Sequence, residues 1–385
     1  MPTTATHLNR FTESVIREMT RISNQHNALN LAQGFPDFDP PAALIQAAKD
    51  ALDAGFHQYA VTWGAPQFRK ALARKQTRFM GLEIDPNAHI TTTVGSTEAM
   101  MTAISAVCNP GEKVIVFDPY YESYEADTIL THAQPVYVRL HTPDFRFDPN
   151  ELRAAFKQGV KAIVLCNPGN PTGRVHTREE LTTIAELAQE FDTFVITDEV
   201  YEHIVYEPHQ HIYMASLPGM FERTLSCSSL SKTYAITGWR LGYVIAPERV
   251  TNSVRKVHDF LTVGAAHPLQ VAAATALDFP DSYYAQMQVE YTHRRDLFLP
   301  YLDQLGVRYY KPEGAYYVLI DISEFGFASD TEFVIWMIKN IGLAAVPGSS
   351  FFIDRRQDLI RLNFAKRDKT IIEAGEKLLR LKEKI

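Results

Sequence analysis

The sequence predicts an α/β protein with a large domain built on a mainly parallel sheet of seven strands, and a smaller α+β domain. Between about residues 90 and 250, apolar runs typical of strands alternate with helical patterns. This order implies parallel strands joined by right-handed crossovers. Several runs, such as residues 162–165, are apolar without alternation, which is typical of strands buried on both faces.

The elements follow in order along the chain. Residues 10–25 predict an amphipathic helix, and Asp39-Pro40-Pro41 predicts the start of a second helix that stops at Gly55. The helical patterns between the strands fall at 97–107, 149–157 and 178–190, and after Pro247 a long helical stretch runs with interruptions to about residue 305. The strands of the large domain are expected at 90–94, 113–117, 135–139, 161–166, 193–197, 224–227 and 241–246.

The last portion of the chain pairs short strands with helices, which is the pattern of a separate α+β unit. The strands are expected at 307–311, 316–320 and 359–362, and the helices at 331–340 and 369–384. We therefore expect an N-terminal segment, residues 1–45, that joins the small domain, a large domain, residues 46–285, and a small C-terminal domain, residues 286–385.

Composition excludes several classes of protein. Hydrophobic residues make up 46% and charged residues 22%, the balance of a soluble globular chain. A net charge of -7 argues against binding to nucleic acid or an anionic membrane. No apolar run approaches membrane-spanning length, no signal peptide is evident, and the cysteines are few and scattered. We expect a cytoplasmic protein without disulfides.

Polar and reactive residues cluster where the predicted strands end, which is where ligands bind in parallel sheets. Ser96 and Thr97 open a helix, whose N-terminus offers amide groups to a phosphate. Tyr121, Asn170 and Asp198 follow three other strands. Alone, each signal also fits an ordinary role. The helix start at Ser96 and Thr97 could be a capping box, and Tyr121 could be a packed ring. Asn170 could belong to a Pro/Gly turn, and Asp198 could cap a helix. Their coincidence favours a ligand site.

Lys232 lies among small hydroxyl residues, and the next cation, Arg240, follows only after an apolar stretch. A lysine kept from water and near a second cation has its ammonium form disfavoured, so its amine is a better nucleophile towards an aldehyde. Hydroxyls such as that of Ser229, together with a guanidinium, suit a phosphate dianion. An amine beside a phosphate cradle is what pyridoxal phosphate requires. Taken alone, the run would be better explained as a core-edge lysine in a Ser/Thr loop.

The chain resembles the class I aminotransferases, pyridoxal-phosphate enzymes of fold type I. The motifs Asn-Pro-Gly-Asn-Pro-Thr-Gly (167–173), Asp-Glu-Val-Tyr (198–201), Ser-Leu-Ser-Lys (229–232) and Thr-Gly-Trp-Arg-Leu-Gly (237–242) stand in the order of that family. The likeness extends from Gln33 to Ala365 and is closest to the methionine and kynurenine/glutamine aminotransferase branch. It implies a large domain that binds pyridoxal 5′-phosphate.

The resemblance also implies residue roles. Lys232 would form the cofactor aldimine and then move the proton between the substrate Cα and the cofactor C4′. Asp198 would keep the pyridine nitrogen protonated, Tyr121 would stack on the ring, and Tyr201 would bond the phenolic oxygen. Asn170 would also hydrogen-bond the phenolic oxygen and would contact the substrate. The phosphate would be bound by Ser96, Thr97, Ser229 and Arg240.

The substrate α-carboxylate is expected at Arg361, whose planar fork suits bidentate binding, with Gly34 approaching through its N–H. Phe35 and Trp63 are expected around the substrate side chain, although core packing is nearly as good an explanation for Trp63. Tyr59 matches a family position that reaches the phosphate of a partner subunit, which implies a homodimer.

The leading hypothesis is an aminotransferase that exchanges the amino group between a neutral L-amino acid and a 2-oxo acid through a pyridoxamine phosphate intermediate. The donor is expected to be apolar, aromatic or a thioether, like methionine or kynurenine, because no second carboxylate-binding arginine is evident. A cysteine-conjugate β-lyase would use the same residues. A non-catalytic, cofactor-binding regulator would need a DNA-binding module before Gln33, where the chain has no room. His203 and His258 have no partner at metal-ligand spacing, so both are interpreted as ordinary satisfied or exposed histidines and no metal is predicted.

Overall fold

The computed structural model describes residues 2–384 and shows the predicted α/β class. The helices are α1 Val15–Gln25, α2 Ala42–Asp53, α3 Pro66–Met80, α4 Gly95–Val107, α5 Ser123–Leu130, α6 Pro149–Phe156, α7 Arg178–Glu190, α8 Glu248–Thr262, α9 His267–Leu277, α10 Asp281–Leu305, α11 Asp330–Asn340 and α12 Asp368–Leu379.

The strands form three sheets. They are β1 Leu29–Asn30, β2 Ile90–Thr93, β3 Lys113–Asp118, β4 Gln134–His141, β5 Arg146–Phe147, β6 Val160–Cys166, β7 Phe194–Asp198, β8 Thr224–Ser229, β9 Gly242–Ile245, β10 Tyr309–Tyr310, β11 Tyr317–Asp321, β12 Leu343–Ala344, β13 Val346–Pro347 and β14 Leu359–Asn363.

The main sheet has the order β2-β9-β8-β7-β6-β3-β4-β5. The seven predicted strands all form, within one or two residues of their predicted bounds. An eighth strand, β5, was not predicted, because two residues carry no periodicity to detect. Strands β4, β3, β6, β7 and β8 are parallel neighbours, whereas β9 runs antiparallel to both β8 and β2. Because no helix crosses the sheet between β8 and β9, the chain returns directly and β9 is reversed.

Both faces of the sheet are buried, which explains the continuous apolar runs. On β3, Ile115 and Phe117 join the core beneath α6 and α7, whereas Val114 and Val116 join the core beneath α4 and α8. Successive side chains of a strand point to opposite faces, so both sets must be apolar. The carboxyl ends of the parallel strands and the first turn of α4 therefore meet at one edge.

The C-terminal portion forms an antiparallel sheet in the order β10-β11-β14-β13, and α12 packs on α10. The N-terminal segment joins this portion, since Leu29 of β1 pairs in parallel register with Leu343 of β12. The division at residues 45 and 285 remains a prediction, and the second boundary falls inside α10. Within the described part of the chain, no helix combines the length and hydropathy needed to span a membrane.

Four helices depart from the prediction. Helix α5 was not predicted, and α12 ends at Leu379 rather than at residue 384. Helix α1 begins at Val15 rather than near residue 10, because Ser14 caps it by accepting a hydrogen bond from the Arg17 N–H. Helix α3 was not predicted, because its inward face carries the polar residues Lys75 and Gln76 among the apolar ones. These polar side chains are buried, which hides the amphipathic pattern of the helix.

A buried ion pair fixes α3 against the turn after β7. Lys75 Nζ lies 2.6 Å from Glu202 Oε1, and each side chain is only 2% exposed. Tyr213 donates a hydrogen bond of 2.8 Å to the other Glu202 oxygen. Although burial alone would raise it, the Lys75 ammonium holds the pKa of Glu202 well below its usual range.

We expect Lys75→Met to reduce the free energy of unfolding by about 3–5 kcal/mol, because the Glu202 carboxylate would remain buried without its cation. The neighbouring Arg74 supplies the matched control. Its pair with Asp278 is solvent-exposed, so Arg74→Met should cost less than about 1 kcal/mol. Urea denaturation of both variants measures the difference, and equal losses would contradict the interpretation.

Candidate active site

A cavity of about 410 Å³ lies at the sheet edge where the strands end. Most of the residues that the sequence nominated for the site line this cavity. They are Gly34, Phe35, Ser96, Thr97, Tyr121, Asn170, Asp198, Tyr201, Ser229, Lys232, Arg240 and Arg361.

Lys232 extends into the cavity from the loop between β8 and β9. Its Nζ donates a hydrogen bond of 2.9 Å to the carbonyl of Gly34. Burial lowers the pKa of Lys232 to about 8, and the cations Arg240 and Arg361 add to this effect while Asp198 opposes it. A substantial fraction of the amine is therefore neutral near physiological pH and available as a nucleophile.

Asp198 is the carboxylate at the end of β7. It accepts a hydrogen bond of 2.8 Å from the Tyr124 hydroxyl and one of 3.3 Å from the Val200 N–H. Burial nevertheless raises the pKa of Asp198 above its usual value. A buried carboxylate in this state is stabilised by a cationic N–H donor, such as a protonated pyridine.

The first turn of α4 and the loop before β9 form a surface suited to an anion. Gly95 adopts a left-handed φ of 76°, and a Cβ at this position would overlap the Arg240 guanidinium. The hydroxyls of Ser229 and Ser231 are buried and have no hydrogen-bond partner within residues 2–384. Unsatisfied donors, a guanidinium and a helix N-terminus together match a phosphate group.

Arg361 lies at another wall of the cavity and is 1% exposed. Its Nη1 donates to Asn170 Oδ1 at 2.6 Å and its Nη2 donates to the Ala32 carbonyl at 3.0 Å. Its Nε has no partner in the described part of the chain, and the Tyr317 ring centroid lies 4.0 Å from its Cζ. This fixed, incompletely satisfied guanidinium can receive a carboxylate. Gly34 is required nearby, since a Cβ there would overlap the Tyr317 hydroxyl.

Sequence reasoning missed several residues of the cavity. Tyr124 follows Tyr121 by three positions, and in the turn that leads into α5 its N–H donates to the Tyr121 carbonyl, so this spacing is the signal that would have placed both near the site. The Tyr317 hydroxyl lies 3.0 Å from that of Tyr201, but this contact depends on how the C-terminal sheet packs. Arg17 of α1 and Glu122, directly before α5, also line the cavity.

Two nominated aromatic residues do not line the cavity. Tyr59 is 84% exposed. Trp63 is half-buried, and the Arg255 guanidinium lies 5.0 Å from its ring centroid, so Trp63 packs outside the site. Among residues 2–384, no group of three His, Cys, Asp or Glu side chains is arranged to hold a metal ion.

A model of the family "Aminotransferase class I and II" matches residues 26–378. The chain belongs to this family. The aminotransferase is 37% identical over 402 residues to human kynurenine–oxoglutarate transaminase 1, with 95% of each chain covered. It is 35% identical to the methionine aminotransferase of Escherichia coli, with 96% of each covered. The solved structure of N-succinyldiaminopimelate aminotransferase from Mycobacterium tuberculosis superposes with a TM-score of 0.95 at 35% identity, covering 98% of this chain and 100% of the other.

These comparisons confirm the predicted family, fold type I, aminotransferase activity and dependence on pyridoxal phosphate. The cavity of this aminotransferase fits that cofactor. The unsatisfied hydroxyls and Arg240 match its phosphate, Asp198 matches its pyridine nitrogen, and the Lys232 amine matches its aldehyde.

The hydrogen bond from Tyr124 to Asp198 provides a test of this fit. Tyr124→Phe removes a donor that lowers the pKa of Asp198, so the carboxylate becomes less ionised and holds a pyridine N–H less well. We expect the affinity of the apoenzyme for pyridoxal phosphate to fall about tenfold in an absorbance titration. Tyr309→Phe is the control, because Tyr309 donates a comparable 2.9 Å bond to Asp303 at an exposed site. An unchanged affinity in Tyr124→Phe would refute the role of this bond.

Proposed function

We propose that this aminotransferase moves the amino group between a neutral L-amino acid and a 2-oxo acid, with Lys232 as both the cofactor's covalent anchor and the proton carrier. The observation that supports it most is the Lys232 amine, with a pKa of about 8, in one cavity with Asp198 and Arg361.

The cofactor, when bound, supplies an aldehyde and an electron-withdrawing ring. Asp198 holds the proton on the pyridine nitrogen. Asn170 already accepts from Arg361 through Oδ1, which leaves its amide N–H groups to donate to the phenolic oxygen. Tyr201, whose hydroxyl is positioned by that of Tyr317, donates to the same oxygen. Tyr121 packs on the ring face.

The remaining residues bind the phosphate and the substrate. Arg361 binds the substrate α-carboxylate with its free Nε and a guanidinium N–H, and Gly34 brings its backbone to the same group. Lys232 Nζ would hold the cofactor through its aldehyde and, when free, would carry a proton between the substrate Cα and the cofactor C4′. The phosphate is bound by Ser96, Thr97, Ser229 and Arg240.

The preferred amino acid is proposed to be apolar, aromatic or a thioether, because Phe35 and Tyr121 contribute rings to the cavity. The names of the methionine and kynurenine relatives support this class.

One observation favours a second candidate, an amino or oxo acid with a distal carboxylate. Arg17 adds a fourth cation to the cavity lining and makes no ion pair within the described residues. The similar solved structure from Mycobacterium tuberculosis is named for N-succinyldiaminopimelate, which supports this second candidate.

A homodimer completes the proposal. Tyr59 and Phe260 are 84% and 91% exposed, and Val61, Leu261 and Val263 beside them are exposed as well. The two segments touch, since His258 Nε2 lies 2.8 Å from the Thr62 carbonyl. Five exposed apolar side chains on adjoining segments favour burial by a second copy of the chain, whose site Tyr59 would reach.

The unpaired cysteines support a cytoplasmic location.

Replacement of Lys232 tests the mechanism. We expect Lys232→Ala to abolish transamination, with a loss of more than about a thousandfold, because both the anchor and the proton carrier are removed. The borohydride-reducible absorbance band of the bound cofactor should disappear as well. Retention of both activity and band would exclude this mechanism.

A half-reaction screen tests the substrate class. Each amino acid is mixed with the purified holoenzyme, and loss of the cofactor absorbance band is followed. The leading proposal predicts methionine and kynurenine above aspartate and glutamate, with the order unchanged in Arg17→Gln. The second candidate predicts that acidic substrates rank first and lose about tenfold in Arg17→Gln, because a charge-assisted bond to their distal carboxylate is lost.

Arg21→Gln serves as the control for the Arg17 variant. Arg21 lies one turn later on α1 and pairs with Glu13 outside the cavity, so its substitution should leave the order unchanged. A change of order in Arg21→Gln would assign the effect to α1 as a whole rather than to Arg17.

A further inference from the structure

His258 is a fully buried histidine on α8 that bridges two other parts of the chain. Its Nδ1 lies 2.7 Å from Glu98 Oε1, and its Nε2 lies 2.8 Å from the Thr62 carbonyl oxygen. A carboxylate and a carbonyl have only lone pairs to offer, so both ring nitrogens must carry a proton to make two hydrogen bonds. The geometry therefore matches a buried imidazolium paired with Glu98.

Glu98 carries this interaction into the first turn of α4. Its Oε2 accepts a hydrogen bond from the Val94 N–H, and its Oε1 also accepts one of 2.9 Å from the Thr262 hydroxyl. Val94 directly precedes Gly95, over which the Arg240 guanidinium packs. The orientation of the phosphate-binding turn thus depends on where the Glu98 carboxylate is held.

Thr62 carries the interaction into a second segment, residues 57–64. The Trp63 carbonyl in this segment accepts a 3.0 Å hydrogen bond from the Thr92 N–H on β2. The same segment exposes Tyr59 and Val61, which belong to the surface proposed for the second copy of the chain. His258 therefore lies between the phosphate-binding turn and the segment that carries Tyr59.

We propose that Glu98 and protonated His258 are a positioning pair that holds the phosphate-binding turn of α4 against residues 57–64. Loss of the His258 proton then weakens the binding of the cofactor phosphate. The inference rests on the phosphate role proposed for Ser96 and Thr97. Neither member of the pair touches the substrate, so both act through the turn.

The charged groups around His258 set the direction of the pH effect. Glu98 faces it from α4, Asp259 adjoins it on α8, and residues 57–64 contribute the Thr62 carbonyl. Arg255, also on α8, is directed instead to the carbonyls of Asn87 and Ile90. Although burial opposes a charge on the ring, these acceptors raise the pKa of His258 above its usual value. The His258 proton is thus retained below the raised pKa and is lost as the pH rises through it.

The test compares two ligands that differ only in the phosphate. Full-length apoenzyme is titrated with pyridoxal 5′-phosphate and with pyridoxal, and the ratio of the two affinities is measured. Both ligands react with the same Lys232 amine, so the titration of that amine cancels from the ratio of the two affinities. A phosphate monoester has its second pKa near about 6, so the range from about pH 7 to 9.5 keeps it a dianion.

For the wild type, we expect the ratio to fall as the pH rises. His258→Gln should lower the ratio at least about tenfold at neutral pH and remove its pH dependence, since an amide cannot carry the charge. Thr262→Val, which removes one bond to Glu98 but keeps the side-chain shape, should lower the ratio about threefold. His293→Gln is the matched control, because it breaks a histidine–carboxylate pair with Asp368 that is exposed.

A ratio that stays unchanged in both His258→Gln and Thr262→Val would overturn the inference, as would equal losses for the two ligands. If His258→Gln does not fold, the pH dependence of the wild type and the Thr262→Val ratio decide the question. Failure of the proposed function gives a different result, in which the wild type forms no borohydride-reducible linkage with pyridoxal phosphate at all.

Discussion

The close approach of β2, β8 and β9 at Gly242 is the constraint on which the site depends. Gly242 pairs with Thr93 on one side and Ser229 on the other, and a Cβ there would overlap the backbone of Gly95. This contact brings the start of α4 against the loop that carries Lys232. The turn proposed to bind the phosphate and the Lys232 amine are therefore neighbours because three strand ends converge on one glycine.

Burial and charge compete in the cavity and around it, and the outcome differs from residue to residue. At Lys232, burial and two arginines prevail over the attraction of Asp198, so the pKa falls and the amine becomes available. At Asp198, burial prevails over the donors Tyr124 and Val200, so the pKa rises. At His258, the acceptors prevail over burial. A bound cation at Asp198 and a bound anion at Arg240 would offset these unfavourable effects, which couples cofactor binding to the stability of the site.

The sequence predicted every strand of the main sheet except β5, and half of the residues that line the cavity. Strand ends are local signals, and parallel topology brings them to one edge. Helix α3 escaped prediction since its buried face includes Lys75, whose partner Glu202 is distant in sequence. Arg17 was not considered, because its place at the cavity depends on how α1 packs rather than on any motif. His258 was interpreted as an ordinary histidine, since neither Glu98 nor Thr62 is near it in sequence.

The two sides of the cavity are built from different parts of the chain. The sheet and α4 supply the residues proposed for the cofactor, whereas the substrate side includes Arg17 from α1, Gly34 after β1 and Arg361 on β14. The pairing of β1 with β12 joins these terminal regions to each other. Substitutions on α1 can therefore alter the substrate side without disturbing the strand ends. This separation is consistent with relatives of 35% and 37% identity that share the family and are named for different amino acids.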